Sequence, residues 1–159
     1  MRLLGPRSFS DLIKIFDEEN AFKDRWYLPD PKDAWPRDRF NEANSQFDEW
    51  NEVELSYADL REVKLHWNTG FEIPHEGMTV AEALQLQAVR NWIETGESEI
   101  YAESHIWLAT EPLKNSCIEH RLLKNYEGHL VTLDGIHRLL AWAGLGKKTT
   151  LAFIAGKIA

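Results

Sequence analysis

Phe9, Leu12, Ile13 and Phe16 recur three and four positions apart, and Ser8 with Asp11 gives capping-box-like spacing at their start. This pattern predicts a helix over about residues 9–22 with one apolar face. Pro29, Pro31 and Pro36 then interrupt a stretch that holds Trp26, Tyr27 and Trp35, which excludes continuous regular structure there. Helical spacing resumes at Phe40, Ala43, Phe47 and Trp50, so residues 1–60 are predicted to form a helical N-terminal extension.

From Val63 the period becomes two. Val63, Leu65 and Trp67 alternate with Lys64 and His66, which predicts a half-buried strand; a turn at Asn68-Thr69-Gly70 leads to Phe71 and Ile73 as the second arm of a hairpin. Thr79-Val80-Ala81-Glu82 is a full capping box. It opens a predicted helix that buries Val80, Ala83, Leu84, Ala88, Trp92 and Ile93 and stops at Gly96. Strand formers follow over 100–109, 118–124 and 129–133. The end of the chain then reads as a tight turn at Asp134-Gly135, a helix over 136–143 closed by Gly144 or Gly146, and a strand over 149–155. Residues 61–159 are thus predicted to form an α+β domain behind the extension.

Composition changes this picture in three ways. The chain has 159 residues, 43% of them hydrophobic, enough for a sizeable core in one ordinary domain. Its single cysteine, Cys117, can form neither an internal disulfide nor a thiolate metal site and reads as a small buried hydrophobe, and no apolar run has the length of a signal peptide or a membrane span. These features predict a cytoplasmic protein with no membrane partner. A net charge of −8 argues against nucleic acid as a partner, because a phosphate backbone favours a surplus of Lys and Arg.

That charge is unevenly distributed. Residues 128–159 carry Arg138, Lys147, Lys148 and Lys157 against Asp134, a balance of +3, which leaves −11 for residues 1–127. Within this basic end, His137 and Arg138 fall in the first turn of the predicted helix. A helix start already carries about +0.5 of an elementary charge, and each cation added there costs about 0.3–1 kcal/mol. An anion seated over the turn reverses that balance, accepting bonds from the first-turn amides and from both side chains. The bland alternative is a turn followed by two solvated side chains.

Other motifs fail on spacing. Gly144-Leu145-Gly146-Lys147-Lys148-Thr149 lacks the first glycine of a P-loop and has Lys148 where that motif needs Ser or Thr. The six histidines show no metalloprotease spacing, and no metal site is predicted. Trp92 and Trp142 lie on apolar helix faces, which predicts core packing. Trp26 and Trp35, in the proline-rich break, could cover a pocket, and Trp67 and Trp107, in predicted strands, could line a cleft.

The segment Leu130-Val-Thr-Leu-Asp-Gly-Ile-His-Arg-Leu-Leu-Ala-Trp-Ala-Gly-Leu-Gly-Lys resembles the nucleotide-binding element of the ParB/sulfiredoxin superfamily. Its members share a strand, a glycine-containing turn, a basic pair at a helix start and a following strand. The resemblance extends over about residues 62–156. Ile136 stands where sulfiredoxins place their nucleophilic cysteine, and the chain is acidic, unlike the chromosome-partitioning members. The Asp-Gly-x-His-Arg form is most similar to the branch that includes nucleotide-dependent serine kinases. By that resemblance Asp134, Gly135, His137 and Arg138 would cradle the phosphates of ATP or ADP with Mg²⁺. Glu72 would be the base for the acceptor hydroxyl of a small-molecule substrate, with Glu62 and Glu76 as neighbouring candidates.

The function expected is therefore a nucleotide-dependent phosphotransferase. Two alternatives stay open: an acid/base enzyme that binds a substrate carboxylate at the same turn with His137 as proton donor, and a ligand-binding or regulatory module without turnover.

Overall fold

A computed structural model describes residues 1–20, 34–66, 77–95, 104–115, 123 and 125–158 of the chain. Five strands form one mixed sheet: β1 (Arg2–Pro6), β2 (Trp50–Ser56), β3 (Ile106–Ala109), β4 (Val131–Asp134) and β5 (Thr149–Ala155). Their order is β1-β2-β5-β3-β4, with β3 and β5 parallel and the other neighbours antiparallel. The described helices are α1 (Phe9–Asn20), α2 (Ala34–Gln46), α3 (Tyr57–Arg61), α4 (Val80–Ala83), α5 (Gln87–Glu94) and α6 (Ile136–Gly144). The protein is α+β. No helix among the described residues is long and apolar enough to cross a membrane.

Strand side chains alternate between two faces, and here both faces are covered. Val53, Leu55, Ile106, Leu108, Ala152 and Ile154 point to one side, where they pack with Leu60, Val80, Ala83, Val89 and Leu139 from α3 to α6. Trp50, Trp107, Ala109, Phe153 and Ala155 point to the other, against Leu12 and Phe16 of α1 and Phe40 and Ala43 of α2. At the centre of this second layer Phe40 stacks on Trp107, with ring centroids 3.8 Å apart and an interplanar angle of 16°. Phe16, Trp50 and Phe153 meet the same indole edge to face. Trp107 is fully buried, so it is part of the core and not the lining of a cleft.

Residues 1–60 are not wholly helical. β1 and β2 lie within them, and β2 pairs with β5 from Trp50↔Ala155 to Ser56↔Thr149. Trp50, in phase with the preceding helix by sequence, begins a strand instead. Asn51 and Glu52 are buried by neighbours distant in the chain, and no local pattern announces that.

The capping box at Thr79 and Glu82 forms, each residue's side chain bonding the other's backbone amide at 3.1 Å. The helix it opens is shorter than the periodicity predicts. Val80 and Val89 are both fully buried on the same layer. At about 100° per residue, nine positions of unbroken helix would turn Val89 to the opposite side. The chain breaks after Ala83 and restarts at Gln87, with Leu86 in an extended conformation as the new N-cap. Ala88 is exposed as a result, while Trp92 and Ile93 are half-buried.

The predicted strand at Val63 is reduced to a single bridge residue, Lys64, between Thr79 and Val131. Its polar positions are not solvated. Lys64 is 9% exposed and donates to the Gly77 carbonyl at 2.5 Å, and His66 is 3% exposed. The remainder of that hairpin, with Trp67, Glu72 and Glu76, and also Trp26, Gly96 and Cys117, lies outside the described residues.

Candidate functional site

The segment β4-turn-α6 folds as its residues dictate. Gly135 takes φ 95° and ψ 25°, a left-handed conformation that costs a side-chain-bearing residue about 1–2 kcal/mol, and it serves as the N-cap of α6. Among the described residues no side chain caps this helix. The first intrahelical bond runs from the Leu139 amide to the Gly135 carbonyl at 2.8 Å, so the amides of Ile136, His137 and Arg138 have no acceptor within the helix.

The basic pair divides. Arg138, only 5% exposed, reaches back one turn and donates from Nη2 to Asp134 Oδ2 at 3.1 Å. Its Nη1 donates to the His105 carbonyl at 3.1 Å and to the Ser104 hydroxyl. Three segments are thereby fastened by one guanidinium: the end of β4, the start of α6 and the residues before β3. His137 is half-buried and faces the other way, its ring edge to face with Trp92 of α5 at 6.1 Å.

Asp134 receives a second guanidinium. Arg39 from α2 is 5% exposed, and its Nη2 lies 3.8 Å from Asp134 Oδ1. Arg39 Nη1 also lies 2.6 Å from His66 Nε2, and His66 Nδ1 lies 2.5 Å from Thr132 Oγ1. A guanidinium can only donate, so Nε2 must hold the lone pair and Nδ1 the proton. His66 is therefore neutral, and Thr132 Oγ1 accepts from its ring as well as from its backbone amide at 3.1 Å.

Of the residues singled out by sequence, Asp134, Gly135 and Arg138 are in mutual contact, His137 adjoins them on the α5 side, and Glu72 lies outside the described residues. Glu62 is the C-cap of α3. Arg39, His66, Thr132 and Ser104 were not legible as members of the site. The one available signal was a charge at position 39, in helical phase with Ala43. Among the described residues no group of three or more His, Cys, Asp or Glu could hold a metal ion. Of the basic residues near the end of the chain, Lys147 lies over the Trp142 ring, 4.3 Å from its centroid.

The arrangement can hold an anion over the start of α6. Both Asp134 oxygens face guanidinium groups, which offsets the repulsion a nearby carboxylate would exert on a phosphate. No curated protein and no solved structure matches the chain. The Family of unknown function (DUF6309) matches residues 1–159, and the chain belongs to that family.

Proposed function

We propose that this protein binds a phosphate-bearing small molecule at the β4-α6 turn, ATP or ADP with Mg²⁺ first among them, and acts as a nucleotide-dependent phosphotransferase on a ParB/sulfiredoxin-like fold. The observation that carries the reading is an aspartate paired with two buried guanidiniums beside the start of α6, which no side chain caps among the described residues. First-turn amides and the positive end of the helix dipole favour a phosphate there. In this reading His137, the half-buried member of the basic pair, adds a charge-assisted bond to it. Arg138 has a different part from the one its sequence position suggests: it holds the turn together from beneath. In this reading Mg²⁺ supplies neutralisation of the phosphate charge, and Glu72 accepts the proton of the substrate hydroxyl.

Isothermal titration of the whole chain with ATP, ADP and CTP in the presence of Mg²⁺ tests the reading. Saturable binding of ATP or ADP is expected, weakened in His137→Ala by about 1–3 kcal/mol, the scale of a hydrogen bond to a charged group. Absence of binding by the wild type at millimolar nucleotide would overturn it.

A further inference from the structure

His105, immediately before β3, lies between two carboxylates. Its Nε2 is 2.9 Å from Glu52 Oε1 on β2, and its Nδ1 bonds Glu19 Oε1 in the last turn of α1. Glu19 also takes the His105 backbone amide, at 3.0 Å from Oε2. Arg7, between β1 and α1, braces Glu52 from behind, with Nε 2.7 Å from Oε2. The imidazole is stacked on Phe153 of β5 at 4.0 Å and 3°. On its carbonyl side it meets Arg138 of α6, which is itself paired with Asp134.

An ionised carboxylate only accepts, so both ring nitrogens must donate and the ring must carry a positive charge. A neutral ring would turn a lone pair toward one of the two carboxylates. Arg7, Glu52, His105 and Glu19 then balance as two positive and two negative charges, which makes their burial tolerable.

We propose that Glu19, His105 and Glu52 form a charged clamp that fixes the start of β3 to α1 and β2 and, through Ser104 and the His105 carbonyl, holds Arg138 beneath the β4-α6 turn, so that loss of the ring proton in alkaline solution loosens the turn and weakens its hold on an anion. The final step rests on the phosphate-binding reading of the turn, whereas the clamp does not. Burial alone would lower the pKa of His105, but its hydrogen bonds to Glu19 and Glu52 and their charges outweigh burial and raise it above 6.5. The contribution of His105 to the clamp is therefore complete below 6.5 and is lost as pH rises through the elevated value. The other charged groups set around His105 are Glu19 of α1, Glu52 of β2, Arg7 behind Glu52, and Arg138 of α6 at its carbonyl.

A pH titration of the isotope-labelled full chain by NMR reads the His105 ring directly. Its midpoint is expected above 6.5, lowered separately by Glu19→Gln and by Glu52→Gln, with protection of the Leu139 amide, which is bonded to the Gly135 carbonyl, falling over the same interval after correction for intrinsic exchange. A midpoint at or below 6.5 in the wild type would overturn the clamp, and unchanged amide protection across the midpoint would overturn its link to the turn. ATP titrations on either side of the midpoint separate the two ideas. A fall in affinity by a factor of about 5–150, the usual range for coupled sites, supports the link. Equal affinity on both sides sinks it, while no ATP binding at any pH removes the phosphate reading and leaves the ring titration to judge the clamp.

Discussion

The guanidinium of Arg138 packs directly against Gly135: a Cβ built on that glycine would stand 2.9 Å from Nη2 and 3.3 Å from Nε. Gly135 thus meets two demands at once, a left-handed backbone and a surface flat enough for a guanidinium to rest on. Gly135→Ala should therefore lose about 1–3 kcal/mol of stability in urea denaturation, the scale of one strained backbone position. A loss within about 0.5 kcal/mol, as for an ordinary surface substitution, would show that the turn relaxes freely.

Arg138 and His137 are neighbours in sequence with opposite structural parts. Truncating one partner of a buried ion pair costs about 3–5 kcal/mol. Asp134 is 22% exposed, so water shares the loss and the lower end of that range is expected for Arg138→Ala. His137→Ala should cost less stability than Arg138→Ala, about 0.5–1.5 kcal/mol for the lost edge-to-face contact with Trp92, and should lower anion affinity. Calorimetric scans of the two variants make the comparison; an Arg138→Ala protein as stable as the wild type would contradict the anchoring role given to this residue.

Phe40 carries α2 onto the sheet through its stack with Trp107. Phe40→Ala should cost about 3–5 kcal/mol, with the cavity term added to the lost transfer energy. Because Arg39 is the next residue on the same helix, the variant should also disturb the pairing at Asp134. A denaturant midpoint close to that of the wild type would mean that the two layers pack independently of this ring.

Glu52 contributes to the acid limb of stability. Burial alone would raise its pKa, but hydrogen bonds and charges from His105 and Arg7 outweigh burial and hold it below 4.5. Its contribution is complete above 4.5 and disappears as pH falls through the depressed value. Unfolding free energy measured between pH 3 and 7 should decline toward acid in the wild type and decline less steeply in Glu52→Gln, from a lower plateau. Parallel profiles for the two proteins would remove Glu52 from the acid response.

Residues 129–155 were the most legible, whereas the strand expected over 118–124 lies outside the described residues except for Leu123. Strand, Asp-Gly turn, helix and strand follow one another there with local signals at every boundary, and the structure reproduces them within a residue or two. The capping box at Thr79 was equally plain. What escaped was set by distant partners. Asn51 and Glu52 read as surface positions until β5 and His105 cover them. Lys64 and His66 read as the wet side of a strand, yet both are buried beside β4. Arg39 enters the site from a helix almost one hundred positions before Asp134, and no spacing rule links the two.

β5 is the fifth and last of the described strands to be made, yet it lies in the middle of the sheet. Without it, β1-β2 and β3-β4 are two separate antiparallel ribbons, and a two-stranded ribbon is marginal in water. Joining β2 to β5 closes a loop of about one hundred residues, with an entropic cost that grows only logarithmically with length but comes to about 4 kcal/mol here before any pairing repays it. Folding should accordingly be slow for a chain of this size, and during synthesis the sheet must wait for residues 149–155 to emerge. The interval before that is when the Trp107 layer stands open to solvent and when the nascent protein most depends on protection from aggregation.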